Sequence, residues 1–517
     1  QYYVGASNMY GHNPKDLKFR FQRVSPIHVS PHDPDIIYHA SQFLHVTKDD
    51  GVTWETISPD LTAFESDKQV ISGSPITRDI TGEEFYSTIY SVRESPLKKG
   101  LIWVGANDGP VHVTYDGGKN WKNVTPNRNI KGGRVDSVEP SYHNPSKAFV
   151  TILRYQLGDW KPYIYRTYDN GDSWDLITKG IPVDYPVRVL REDPKKEGLL
   201  FAGTEFGMFV SFDDGNNWQS FQQNLPITPI TDIKIHRNDV VLSTMGRSFW
   251  IMDNISYLRT FSFSDNQILY PIENTIRYRN RPLNNNHVSY PQTSVDIDYK
   301  ISNELVEEVF IKITDLEDNV INSYVSSVSS NDDIENYEMS TNEFTYILNN
   351  NISKKVGVNR FKWDMRHRGS WNKDSRYSYR NGPLVKPGKY KVTITIDGTS
   401  FSENLEIISD PRIDLGTEVY EEQEKILIEI RDFMTEVRLF EDEVSKILIN
   451  KPKNKKYLSI SKKLNTDKGT YMQPMLIDQI RYLQSMLSRA DQKPGEDAIN
   501  RLKELKSEFY ILKNKLG

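Results

Sequence analysis

The sequence predicts a mainly β protein: Asp-box-type β-propeller blades, about five of them, then a β-sandwich of immunoglobulin-like kind and a C-terminal α-helical bundle. Three observations carry this. A turn-forming octapeptide recurs four times, strand-like runs precede each copy at matching places, and helical periodicity takes over after Thr417.

The octapeptides are TKDDGVTW, TYDGGKNW, TYDNGDSW and SFDDGNNW, sharing a hydroxyl residue, an aspartate, a glycine and a tryptophan. Their aspartates are Asp49, Asp116, Asp169 and Asp213, and a degenerate fifth unit ends near Asp253; the steps run from 40 to 67 residues. That spacing is one four-stranded sheet per step, with insertions in the earlier units. Upstream of each box a β-rich run ends at a proline or asparagine turn, and a second run follows, such as IIYHAS, LIWVGAN, AFVTIL, LLFAGTE or VVLSTMG. A third run leads into the box and a fourth starts at its tryptophan.

The residue types in the box are those of a clasp. The aspartate carboxylate is expected to accept from backbone N–H groups one and two residues on. Gly51, Gly118, Gly171 and Gly215 supply the positive φ of the reversal, and Trp54, Trp121, Trp174 and Trp218 fold back to fill space between sheets. An aspartate repeated in every unit is expected of architecture, not of one active centre.

The pattern resembles the Asp-box of bacterial neuraminidase (BNR) repeats, sialidases and sortilin-like propellers. NLP followed by STMGRSFWIMDNI (243–255) is similar to the closing blade of large sortilin-like, Asp-box proteins of bacteria, often described as glycosyl hydrolase-like. GVNRFKWDMRHRG (357–369) and KPGKYKVTITIDG (386–398) resemble the sandwich that follows it. The resemblance implies an extracytoplasmic protein and blades upstream of those counted here, on another segment or another chain, so that the ring is incomplete.

Functional residues are then expected on the axial channel or the rim opposite the boxes. Aligning the units on the turn residue puts His28, Tyr90, Glu139, Arg188 and Asp232 in one column, between apolar neighbours such as Ile27, Val29, Ile89, Val138, Val187, Val189 and Ile233. Period-2 alternation turns the polar set toward the channel, where it either binds a polar ligand or is solvated lining. Further charged candidates are Arg93, Glu94, Arg154, Arg191, Glu192, Glu205 and Arg247. A sialidase-like centre needs three arginines on a carboxylate and a tyrosine activated by a glutamate, but the Arg-Ile-Pro signature is absent and no such set is assigned. A general glycosidase needs only two facing carboxylates, for which Glu83, Glu84 and Glu205 are candidates or, equally, solvated loop residues.

Composition narrows the classes. The 517 residues are 37% hydrophobic and carry a net charge of −5, from 65 basic and 70 acidic side chains, which advertises neither nucleic acid nor an anionic membrane. Cysteine is absent, excluding disulfides and thiolate chemistry. No apolar run reaches transmembrane length, and a chain opening on Gln1 reads as a processed product or a fragment. Ten histidines without an H-x-x-x-H helix, and boxes lacking the terminal glutamate of an EF-hand, give no expected metal or other cofactor. Asn123 and Asn254 sit in Asn-x-Ser/Thr sequons, relevant only in a eukaryotic secretory host.

Residues 1–260 are therefore read as blades, 261–292 as a linker, 293–410 as the sandwich and 411–517 as the bundle. Alternation in VDIDYKI, VFIKITD, FTYILN and YKVTITID marks the sandwich strands, and turns at PGK and DGT bound its last hairpin. Three amphipathic helices follow: one through Ile426, Ile430, Phe433, Val437, Val444 and Ile447, one through Leu476, Ile480, Leu483 and Leu487, and one through Ile499, Leu502, Leu505, Phe509 and Leu512. The leading function is a binding module for a peptide, protein or glycan; the alternatives are an exo-acting glycoside hydrolase, sialidase-like or related, and a structural component of a cell-envelope assembly.

Overall fold

The computed structural model describes residues 12–71, 85–126, 131–261, 268–279, 293–302, 306–326, 339–340, 345–348, 351–374 and 377–515. The chain forms two compact units, residues 1–259 and 260–517.

The first unit is a succession of antiparallel sheets in simple meander order. Sheet one holds β1 (Ile27–Val29), β2 (Ile37–Ala40), β3 (Leu44–Thr47) and β4 (Glu55–Thr56). Sheet two holds β5 (Ile89–Glu94), β6 (Ile102–Ala106), β7 (Val111–Thr114) and β8 (Lys122–Asn123). Sheet three holds β9 (Arg134–Pro140), β10 (Ala148–Leu153), β11 (Ile164–Thr167) and β12 (Asp175–Leu176). Sheet four holds β13 (Val187–Glu192), β14 (Leu200–Thr204), β15 (Gly207–Ser211) and β16 (Gln219–Ser220). Sheet five has three strands, β17 (Ile230–His236), β18 (Asp239–Thr244) and β19 (Phe249–Met252), and the short helix α1 (Ser256–Thr260) follows. The first strand of each sheet packs against the first strand of the next, as in propeller blades.

Each octapeptide is the turn between the third and fourth strands, and its bonding differs from expectation. The carboxylate reaches four residues on, not one and two: Asp49 accepts from the Thr53 N–H at 2.9 Å, Asp116 from Asn120 at 2.9 Å, Asp169 from Ser173 at 2.9 Å and Asp213 from Asn217 at 2.8 Å. The nearer job belongs to the hydroxyl residue. Thr47 Oγ1 accepts from the Gly51 N–H at 2.9 Å and donates to Asp49 at 2.8 Å, and Ser211 does the same for Gly215 and Asp213. A β-turn carboxylate that spans the whole loop satisfies a donor that the short fourth strand leaves over.

The tryptophans tie sheet to sheet. The indole N–H of Trp121 donates to Ile57 O at 3.1 Å, that of Trp174 to Val124 O at 2.8 Å and that of Trp218 to Ile177 O at 2.8 Å, each acceptor lying just past the last strand of the preceding sheet. Trp54 donates within its own turn, to Gly51 O at 3.1 Å. The apolar clusters follow the same plan: one joins sheets one and two around Leu44, Ile89 and Val104, one joins two and three around Trp103, Val138 and Val150, and one joins three and four around Phe149, Leu190 and Ala202.

The second unit pairs a β-rich layer with helices. Its strands are β20 (Thr275–Arg277), β21 (Val295–Ile301), β22 (Val309–Asp315), β23 (Val320–Val325), β24 (Met339–Ser340), β25 (Thr345–Leu348), β26 (Gly357–Trp363), β27 (Gly388–Ile396) and β28 (Thr399–Ser409). Seven form one sheet in the order β20-β28-β27-β22-β23-β25-β24, and β21 pairs with β26. The β21–β26 pair lies over the large sheet, with Ile297, Tyr299, Phe361 and Trp363 sharing one core with Ile311, Val392, Ile394 and Ile407. The layers described are uneven, and two pairings, β20 with β28 and β23 with β25, are parallel. Part of the stretch read as a linker is a strand: β20 pairs with β28, and Arg277 at its end is buried against Asp491 at 2.8 Å, while 262–267 and 280–292 lie outside the described residues.

Four helices complete the unit: α2 (Thr417–Asn450), α3 (Lys455–Leu464), α4 (Leu476–Leu487) and α5 (Glu496–Asn514). The three expected stripes are buried except at Ile447, which is half-buried, and Ile499, which is exposed; the short α3 is additional, started by the Asn454 side chain, which accepts from the Lys456 and Tyr457 N–H groups. No helix among the described residues is long and apolar enough to cross a membrane.

Candidate functional site

Register on the innermost strands fixes which side chains share a level. The N–H groups of Ser30, Ser95, Ser141 and Asp193 bond back to Ile36, Leu101, Lys147 and Leu199 at 2.8–3.0 Å, so these four are equivalent. Two residues earlier stand His28, Arg93, Glu139 and Arg191; Lys234 takes the same place in sheet five, four residues past Ile230 as Arg191 is past Val187. A bulge nearer the strand starts inserts Tyr90, Asp136, Arg188 and Thr231.

The expected column of His28, Tyr90, Glu139, Arg188 and Asp232 is therefore split. His28 and Glu139 share the first level, Tyr90 and Arg188 belong to the bulges, and Asp232 lies on neither. The reason is where proline falls within turns of equal length: Pro34 and Pro145 come four residues after Ser30 and Ser141, whereas Pro96 and Pro194 follow Ser95 and Asp193 directly. Proline was not a fixed register mark. On β1 the alternation also runs the other way, with Ile27 69% and Val29 48% exposed and His28 half-buried.

At the first level Arg191 is the hub. Its guanidinium donates to Asp232 at 2.7 Å and Ser137 Oγ at 2.6 Å and pairs with Glu139 at 3.4 Å, linking sheets three, four and five. Burial raises the proton affinity of Glu139 against the pull of Arg191 and Arg93. Arg93 is depressed by facing Arg191 and then by burial. His28 is held down to about 3 by burial, with Arg93, Lys234 and Arg191 adding to it, so side chains from sheets one, two, four and five share one electrostatic neighbourhood.

The bulge level gathers a second set, at the end of the sheets away from the octapeptides. Asp136 accepts from Arg134 through both carboxylate oxygens, one contact at 3.0 Å, and lies 3.9 Å from Arg188. Glu205, in the β14–β15 turn, pairs with the same Arg188 at 2.6 Å. The ring of Tyr90 lies 4.5 Å from the Arg134 guanidinium, and that of Tyr155 5.9 Å from Arg188. Burial raises Asp136 despite Arg134, and Glu205 raises it further. Burial likewise raises Tyr90, with Arg134 opposing. A buried carboxyl of raised proton affinity beside a second carboxylate is the arrangement from which an acid–base pair is built.

Sequence reasoning named Glu205 but missed Asp136 and Arg134. The signal was present in RVDSVE, where an aspartate interrupts an apolar alternation beside an arginine. Glu83 and Glu84 lie outside the described residues. Arg154 is used internally, pairing with Asp159 at 3.0 Å, and Glu192 is buried against Lys147 at 3.1 Å. Arg247 is exposed at the β18–β19 turn. Among the described residues no group of three or more histidines or carboxylates is placed to hold a metal. A groove of about 760 Å³ opens on the octapeptide side, between sheets one and two.

The fold and this site define a mainly β chain of blade-like sheets with a charged inner lining. No protein-family profile matches it. The chain is 23% identical over 251 residues to an oligoxyloglucan-reducing end-specific xyloglucanase of Emericella nidulans, covering 41% of this chain and 29% of that protein. It thus spans less than a third of that curated relative. Among solved structures it is similar to the GH74 xyloglucanase of Xanthomonas campestris, at 14% identity and TM-score 0.33 over 52% of this chain and 42% of that one. It is similar also to YCF48 of Cyanidioschyzon merolae, at 14% identity and TM-score 0.31 over 42% of this chain and 66% of that one.

Proposed function

We propose that the first unit is part of a glycosyl hydrolase-like β-propeller that acts on a glycan, with Asp136 as proton donor and Glu205 as the second carboxylate. The observation that carries the reading is that these two acids flank one guanidinium, Arg188, opposite the octapeptide turns, while burial raises the proton affinity of Asp136. In the reaction Asp136 protonates the leaving glycosidic oxygen as its bond to the anomeric carbon breaks, and Glu205, freed from Arg188, takes a proton from the water that forms the new bond to that carbon. The name of the fungal relative supports a β-glucan of the xyloglucan type as the first substrate to try.

The sortilin-like, Asp-box ancestry and an extracytoplasmic setting belong to the same proposal. So do further sheets beside this one, for which Ile27 and Val29 on β1 and Phe249 and Ile251 on β19 offer exposed apolar faces.

The test is hydrolysis of xyloglucan oligosaccharides and a panel of chromogenic glycosides by the full-length protein. Asp136→Asn and Glu205→Gln are each expected to lower turnover at least a hundredfold with the fold intact. Unchanged turnover in both refutes the assignment. A second reading, glycan binding without turnover, is favoured by the fact that each acid already has an arginine partner. Saturable binding with no product would select it.

A further inference from the structure

Two junctions between sheets contain the same chamber, filled in one and open in the other. Between sheets three and four it holds Lys147, whose side chain is fully buried and whose ammonium lies 3.1 Å from Glu192, 2.6 Å from Asp214 and 3.7 Å from Glu197. The rings of Phe149 and Tyr168 wall it at 5.3 and 5.8 Å.

The shared register identifies every counterpart between sheets one and two. Ile36 stands where Lys147 does, directly before the second strand, and Glu94 ends β5 as Glu192 ends β13. The Gly117 N–H bonds to Gly100 O as the Asp214 N–H bonds to Gly198 O, which sets Gly117 against Asp214 and Lys99 against Glu197. Tyr38 replaces Phe149 and Lys48 replaces Tyr168. All six counterparts line the 760 Å³ groove.

What remains there is a buried carboxylate without a cation. Glu94 is 3% exposed; it accepts from the Gly100 N–H at 2.7 Å and from the Tyr38 hydroxyl at 3.3 Å. Among the described residues no lysine, arginine or histidine forms an ion pair with it. Lys48, Lys99 and Lys119 are exposed around the groove, where Glu55 and Asp116 are exposed as well, so the rim is mixed while the floor is negative. A desolvated carboxylate favours a cation that arrives with an apolar stem along the aromatic wall.

We propose that this groove binds an alkylammonium group, the side chain of a lysine presented by a polypeptide partner, with Glu94 as its counter-charge and Tyr38 against its methylenes. The internal precedent is Lys147 itself. The site is separate from the Asp136–Glu205 pair and does not depend on the glycan reading.

The probe is the tripeptide acetyl-Gly-Lys-Gly-amide, titrated against the full chain by NMR or calorimetry beside its norleucine counterpart. The lysine peptide is expected to bind saturably and at least tenfold more tightly. Glu94→Gln is expected to reduce it to the norleucine level. Ile36→Lys, which fills the chamber from within, is expected to do the same, with circular dichroism and thermal melting showing that each variant folds. Equal affinity for the two peptides, no saturable binding, or binding that survives Ile36→Lys would overturn the proposal. Should Glu94→Gln fail to fold, Ile36→Lys decides alone. Asp136→Asn is expected to leave lysine binding unchanged, which separates failure here from failure of the glycan reading.

Discussion

The two units hold themselves together in opposite ways. In the first, apolar clusters are small and each sits between two consecutive sheets, joined by an indole bond, a glycine fitted against the preceding sheet or a buried ion pair. In the second, one continuous core runs through both strand layers and another through all four helices. The difference teaches that a repeated fold distributes stability over junctions, each of which can be altered singly, whereas a continuous core responds as a whole.

The largest effect is expected in the second unit. Phe509 has no exposed surface and meets Phe433 and Phe440 edge-on at 5.6 and 5.5 Å. Phe509→Ala should cost about 3–5 kcal/mol in denaturant unfolding, since both the transfer and the cavity terms apply. It should move only the transition of the second unit; a matching loss in the first would break the comparison. Next, Lys147→Met strands Glu192 and Asp214 in the junction between sheets three and four. About 3 kcal/mol is expected in the first unit's transition, because an uncompensated buried charge costs more than the intact pair contributes. A neutral Lys147→Met would show that the junction relaxes around a void.

A smaller effect separates one junction from another. Gly51 and Gly215 have the same φ, +86°, but a Cβ on Gly215 would lie 2.4 Å from Ile177 Cδ1, while one on Gly51 meets nothing nearer than Trp54 at 3.7 Å. Gly51→Ala should cost about 1 kcal/mol for the left-handed backbone alone. Gly215→Ala should cost about 2–3 kcal/mol, overpacking included. Equal losses in thermal melts would mean that the sheets do not press on these turns.

The same contrast explains what was legible in advance. The octapeptides, the meander strands and the three long helical stripes are local patterns, and each could be read within about 20 residues. The inner-strand levels could not, since they depend on bulges, and the proline used to align the units shifts by three residues within turns of equal length. Asp136 was hidden for that reason, as the pairing of Glu205 with Arg188 rests on residues 17 positions apart, brought together by a hairpin register. α3 was missed because Leu458, Ile460 and Leu464 give too short a stripe, inside a lysine-rich stretch. The clasp was recognised but its wiring was not: nothing in T-x-D-x-G says that the hydroxyl, not the carboxylate, takes the glycine N–H.

Acid should sharpen the comparison last and least. Burial holds His45 and His112 down to about 4 and His28 to about 3, all in the first unit. Their unfolded pKa is near 6.5, so the unfolded chain takes up these protons first. The stability they contribute is therefore complete above about pH 6.5 and is lost as pH falls toward 4. His45 is the best placed to show it, fully buried with Ser41 Oγ at 2.8 Å from Nε2 and Thr56 Oγ1 at 3.1 Å from Nδ1. Asp116 and Asp169, held at about 2 by hydrogen bonds from Asn120 and Ser173, add a second loss only below about pH 4. Scanning calorimetry between pH 7 and pH 4.5 should thus lower the first unit's transition and leave the second's nearly in place. His45→Gln, which keeps a polar side chain but removes the titration, should reduce that slope, by on the order of 2 kcal/mol over the range. A second-unit transition that falls in parallel would mean that the acid sensitivity does not reside in these histidines.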